Sequence, residues 1–180
     1  GICGGAVFAS PRAGAALYLI HAASALFTGI LLTRRLPPLS APFSAGAAPR
    51  RSVSLSAALP AAVQGALAGI LNVCAFVVFF TVCTRLLLRA LPESFAFSLP
   101  CALLIGFFEL TSGVTALPPT RAGFLACAAL LAWGGLSVHC QTLSALSASA
   151  LSARYYLRAK AAQALLSVIL SLPALPFLFP

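Results

Sequence analysis

Three groups of residues have types and spacings that could do chemistry in an apolar setting. Glu109 stands in Leu104-Ile105-Gly106-Phe107-Phe108-Glu109-Leu110-Thr111-Ser112-Gly113, two residues from the middle of a hydrophobic stretch. At helical rise that is roughly 3 Å from the centre of a bilayer, where a carboxylate costs about 2.5–3.5 kcal/mol to insert. Thr111, Ser112 and Gly113 follow it at once, and such residues cap or break helices. The expected arrangement is a discontinuous helix whose released backbone groups line a protein-enclosed cavity. Glu109, Thr111 and Ser112 then belong to a substrate or ion site; the plainer reading is a protonated glutamate packed between helices.

The second group is Trp133-Gly134-Gly135-Leu136-Ser137-Val138-His139-Cys140-Gln141-Thr142. Paired glycines interrupt an apolar run, and Ser137 can cap the helix that follows. A helix start in a dry interior presents N–H groups and the positive end of the dipole, which suits an anion. Gly135, Ser137 and Gln141 are therefore candidate substrate contacts. Ser137, Gln141 and Ser144 share one helical face, whereas His139 points roughly 160° away from Gln141. The competing account is that small and hydroxyl residues simply permit tight helix contact.

The third group is scattered. His21, Ser24, Ala25, Thr28 and Gly29 follow helical spacing, and His21 is a candidate proton carrier or ligand contact, or else a hydrogen-bonded packing residue. Gln64, Ala68 and Asn72 form a comparable stripe beside Gly65-x-x-x-Gly69, with Asn72 a further possible contact.

The elements that must position these residues are membrane helices. Of 180 residues 61% are hydrophobic and 7% charged, with a mean hydropathy of +1.05. A soluble domain carries about 25% charge, so this surface suits lipid. Five segments approach the ~20 apolar residues of a span: Ala13 to Thr33, about Leu59 to Leu88, Phe97 to Leu117, Gly123 to Leu143, and Ala161 to Phe179. Pro173, Pro176 and Pro180 are expected to end the last one early. Residues 34–56 form a basic, Pro-rich loop expected on the cytoplasmic side, and the remainder reads as a single membrane domain of the all-α class.

Lys and Arg exceed Asp and Glu by eleven to two, in short clusters between apolar runs. That pattern is topology signal and argues against a nucleic-acid partner. If every segment crosses, the basic residues divide five against six, with no bias. Making Gly123 to Leu143 re-entrant gives eight against three, and making Phe97 to Leu117 re-entrant gives seven against four. The charge rule thus asks for one re-entrant hairpin. Tyr155 and Tyr156 beside Arg154 and Arg158 fit a headgroup-level belt.

Several chemistries are excluded. There is no Asp, and the acids are Glu93 and Glu109 alone, so paired-aspartate catalysis is impossible. No phosphate-binding Gly-x-x-x-x-Gly-Lys motif and no His-Glu-x-x-His occurs. Leu110-Thr111-Ser112-Gly113 lacks the first glycine of an intramembrane serine protease's Gly-x-Ser-Gly. The six cysteines show no metal-type spacing and read as small packing residues. No enzyme activity, cofactor or metal is expected. The chain has no Met and enters apolar sequence directly from Gly1-Ile2-Cys3-Gly4-Gly5, which suggests the later part of a longer protein.

Gly106 to Gly113, Trp133 to Thr142, and Tyr155-Tyr156-Leu157-Arg158-Ala159-Lys160 together resemble the YlbJ-type sporulation integral membrane proteins. Those belong to a wider set with a nucleoside-transporter-like gate domain. The resemblance extends over nearly the whole chain, as the C-terminal half of such a protein. The abundance of Ala and Arg and the lack of Met and Asp depart from the family's composition. The resemblance implies an inverted-repeat secondary transporter in the cell membrane or outer forespore membrane, moving dipicolinate toward the spore. It also implies Glu109, Thr111, Ser112, Ser137 and Gln141 as site residues. A nucleoside or metal-ion carrier, or a non-transporting scaffold, are the alternatives. The expected partners are a small anion and the lipid bilayer, with a homo-oligomer left open.

Overall fold

The computed structural model describes residues 7–34, 54–96, 98–147 and 152–179. Most of the basic loop expected at 34–56 lies outside them; its last residues, Leu55 and Ser56, already belong to a helix. Among the described residues the fold is all-helical. The helices are α1 (Pro11–Thr33), α2 (Leu55–Arg89), α3 (Glu93–Ala96), α4 (Leu99–Phe108), α5 (Leu110–Thr115), α6 (Arg121–Trp133), α7 (Gly135–Leu146), α8 (Ala153–Ser171) and α9 (Leu175–Leu178). A 3₁₀ turn, Leu172–Ala174, joins the last two. Four stretches are long and apolar enough to cross a membrane: 11–33, 55–89, 121–146 and 153–178.

Local chemistry explains the starts. Ser10 accepts from the Ala13 N–H (3.3 Å), Ser98 from Cys101 (3.3 Å) and Thr120 from Gly123 (3.1 Å), so α1, α4 and α6 each begin on a side-chain cap. Pro11 and Pro100 sit in the first turns of α1 and α4, where a missing N–H costs nothing. The fifth span starts eight residues earlier than its apolar stretch, at Ala153. Arg154, Tyr155, Arg158 and Lys160 are too polar to read as membrane sequence but remain good helix formers. The late prolines act as expected: α8 ends at Ser171, and the backbone tightens to 3₁₀ across Pro173.

α6 and α8 form the most extensive interface, with α1 on the other flank of α8. Three contacts set the direction of the first pair. Arg121 donates to the Phe179 carbonyl, Ser167 Oγ donates to the Ala128 carbonyl (3.0 Å), and His139 meets Tyr156 (3.0 Å). As one number rises the other falls, so α6 and α7 together run antiparallel along α8. Tyr155 Oη donates to the Leu32 carbonyl (3.3 Å), and Phe8 meets Phe179 edge-on at the opposite end, so α1 is antiparallel to α8 as well. One end of the bundle therefore holds Arg12 and Arg121, and the other holds Arg34 and Arg154.

The core runs through this bundle as Leu17, Ile20, Ala102, Val114, Phe124, Ala126, Ala128 and Leu130, closed at one end by the Phe8–Phe124–Phe179 ring cluster. Cys101 and Cys127 are fully buried, in keeping with cysteines as small packing residues. On α1 the buried row is Ala13, Leu17, Ile20, Ser24 and Thr28. Ala25 and Gly29, expected on the same face, are exposed, because the contact with α8 favours the row one step round the helix.

α2 stands apart. At 35 residues it is roughly 52 Å long, longer than a ~30 Å hydrocarbon core. Thr84 is its one buried residue among those described. Gly65 and Gly69 have nothing within 4 Å of an added Cβ, so their close-contact spacing is unused within the chain.

Candidate functional site

The chain reverses at Glu109. An ideal Cβ on Gly113 would lie 2.1 Å from Gly106 Cα, although seven residues of straight helix would separate the two by about 10 Å. Hence α4 and α5 are folded back on each other, backbone against backbone, with Glu109 at the tip in extended conformation (φ −136°, ψ 113°). The break falls two to four residues earlier than Thr111-Ser112-Gly113 predicts, because the carboxylate supplies the cap itself. The Thr111 N–H donates to Oε1 (2.9 Å) and the Ser112 N–H to Oε2 (2.7 Å). Glu109 is 4% exposed. A charge held by two amides at a helix start needs no external counterion, so Glu109 has a structural task that its sequence position alone does not announce. Thr111 is exposed and Ser112 half-buried beside it.

The second break is at Gly134 and Gly135, with φ of +94° and +76°. Two left-handed residues in succession interrupt the helix and suit glycine. α6 and α7 nevertheless continue in one overall direction, as their shared antiparallel run along α8 requires. Gly134 occupies the capping position, and no side chain caps α7. Ser137, expected as the cap, lies inside the first turn instead and accepts from Gln141 Nε2 (3.2 Å). The predicted shared face of Ser137 and Gln141 is thus present, but the two side chains engage each other.

The two breaks touch. A Cβ on Gly135 would lie 3.1 Å from the Gly106 carbonyl oxygen and 3.1 Å from the Leu110 nitrogen. The backbone of Gly135 is therefore brought against the Gly106–Leu110 turn that carries Glu109; Ser137 and Gln141 pair with each other further along α7, and Glu109 with Thr111 and Ser112 at the start of α5. Ten residues of α4 rise about 15 Å, half the thickness of a hydrocarbon core. The tip of the fold-back and the break in α6–α7 thus share a level near the middle of the bundle. His21 and Asn72 are not part of this junction. Among the described residues neither has a hydrogen bond to any of the six; His21, half-buried on α1, has a buried Nδ1 without a partner, and Asn72 is half-buried on α2.

A second polar cluster lies beside the junction. His139 is 2% exposed, its Nδ1 pairs with Tyr156 Oη (3.0 Å), and its ring meets Trp133 edge-on at 4.4 Å. Tyr156 is therefore engaged inward, while Tyr155 remains the more exposed of the pair. Trp133 also stacks on Phe107 (5.5 Å, 11° between planes), tying the cluster to α4. One turn along α8 from Tyr156, Lys160 donates to Gln163 Oε1 (3.1 Å), and Gln163 is buried.

Sequence reasoning missed Lys160, counting it with the loop charges at the end of the bundle. By the Ala128–Ser167 and His139–Tyr156 register it falls level with Gly135 instead. The signal that could have found it was helical continuity: Tyr156, Lys160 and Gln163 recur at i, i+4 and i+7. Comparison of the chain with known protein families, curated proteins and solved structures finds no match.

Proposed function

We propose that the chain forms the solute-binding part of a secondary membrane transporter for a small anionic metabolite. The observation that carries the reading is the main-chain contact between two helix breaks at mid-depth, Gly135 against Gly106 and Leu110. Irregular backbone is tolerated inside a membrane where protein or a cavity encloses it, and transporters place their solute at such breaks. In this reading α4–α5 is a re-entrant hairpin that enters from the Arg12–Arg121 end and returns there, while α6–α7 crosses. The other end, where α1 stops beside Arg34 and α8 starts beside Arg154, is cytoplasmic in this reading, since the sequence from 34 to 51 carries four arginines. The inverted repeat belongs to the same proposal.

The most specific form, dipicolinate moving across the outer forespore membrane, rests on the resemblance of the two break motifs to the YlbJ-type proteins. Uptake of labelled dipicolinate into vesicles carrying the full-length protein tests it, with Glu109→Gln alongside. Uptake that is lost in the variant supports both solute and site. A folded wild type without uptake removes dipicolinate and brings nucleosides or metal ions forward.

A further inference from the structure

Lys160, half-buried on α8, poses a problem of charge. A cation partly withdrawn from water among apolar helices is normally paired with an acid or held by several acceptors. Among the described residues Lys160 has no acidic partner, and its single hydrogen bond is to the neutral Gln163 amide. Glu109 is engaged with the Thr111 and Ser112 amides at the start of α5. Nor does the side chain reach back toward the Tyr155 end of α8, as a snorkelling lysine would; it is held by Gln163, one turn deeper.

Three buried side-chain nitrogens lack partners among the described residues, His21 Nδ1, Trp133 Nε1 and His139 Nε2, and the last of these belongs to the ring that Tyr156, one turn before Lys160 on α8, holds by Nδ1. An indole N–H can only donate, so that position calls for an acceptor. If His139 Nδ1 accepts from Tyr156, its Nε2 is a second donor. Two N–H donors on rings that pack edge to face, with centroids 4.4 Å apart, and one ammonium on the facing helix supply the kinds of group that hold a carboxylate's two oxygens and single charge.

We propose that Lys160, Trp133 and His139 bind the carboxylate of a small solute at mid-depth, where the break between α6 and α7 faces α8. This deepens the carrier reading by naming the groups that hold the solute's charge, and binding is measurable whether or not the protein transports.

Trp133 is the one tryptophan of the chain, so its fluorescence reports on this place alone. The full-length protein in detergent, with any other tryptophan replaced, is titrated with acetate, succinate and pyridine-2,6-dicarboxylate, and with chloride and phosphate for comparison. At least one carboxylate is expected to give a saturable change in emission. Lys160→Gln is expected to weaken that binding by about tenfold or more, and Lys160→Arg to restore it. Lys160→Gln is also expected to fold and to melt higher than the unliganded wild type, since it removes an uncompensated charge.

Unchanged emission with every carboxylate overturns the proposal, as does equal binding by folded Lys160→Gln or an equal response to chloride or phosphate. Carboxylate binding that is lost in Lys160→Gln, in a protein that moves no solute in vesicles, upholds the site and overturns the carrier reading instead.

Discussion

At the scale of single residues, Glu109 and Gly135 determine how the two breaks meet. Glu109 satisfies two amides that would otherwise be orphaned in a setting without water. Glu109→Ala should therefore lower stability by about 1–2 kcal/mol, read as a lower melting temperature in detergent. Glu109→Gln keeps one acceptor oxygen but points an amide donor at the helix start, so it should fall between wild type and alanine. Equal melting of all three proteins would show that the cap contributes nothing. Gly135→Ala meets both a left-handed backbone, costing about 1–2 kcal/mol, and atoms at 3.1 Å on two sides. It should separate the breaks and abolish solute binding even where the protein still folds, a combination that binding and circular dichroism together would detect.

At the scale of elements, helices in lipid gain little from burying apolar surface against one another, so close backbone approach and polar contacts must hold them. The α4–α5 fold-back is the clearest case, because a methyl group on Gly113 would occupy the position of Gly106 backbone atoms. Gly113→Ala should destabilise by about 3 kcal/mol or more, since backbone cannot step aside as a side chain can. Gly69→Ala on α2, with open space around it, should change the monomer's stability by less than about 0.5 kcal/mol. Parallel melting curves of the two variants check the contrast. On α8, Ser167 is fully buried and donates to the Ala128 carbonyl, and Ser167→Ala should cost about 0.6–1.7 kcal/mol.

At the scale of the whole molecule, the antiparallel runs order the ends of the bundle. Single cysteines placed at Arg34 and Arg154, in a background without the native cysteines, should react with an impermeant thiol reagent from one side of a membrane. Those placed at Arg12 and Arg121 should react from the other. If Arg121 reacted with Arg34 instead, α4–α5 would have to cross, and the fold-back could not be a re-entrant hairpin. α2 exposes nearly its whole length, including the Gly65-x-x-x-Gly69 spacing that the sequence suggested for close contact, so whatever covers that face lies outside the described residues.

The all-helical class, four of the five expected apolar spans and both interruptions were legible in the sequence, because they depend on local quantities: apolar run length, glycine pairs and an acid in an apolar stretch; the fifth, Phe97 to Leu117, is two short helices folded together. The positions of Glu109 and Gly135 mark the two breaks even though the capping residue was misassigned in each. What each interruption does required the tertiary structure. One reverses the chain and the other only bends it, since Gly113 can press against Gly106 while α6 and α7 are both held along α8. Lys160 shows the same limit from the other side. Counted along the chain it belongs to a basic cluster after a loop, and only the register of α8 against α6–α7 brings it level with Gly135. Depth in a bundle is a property of how helices slide past one another, and one chain read in order carries no measure of that.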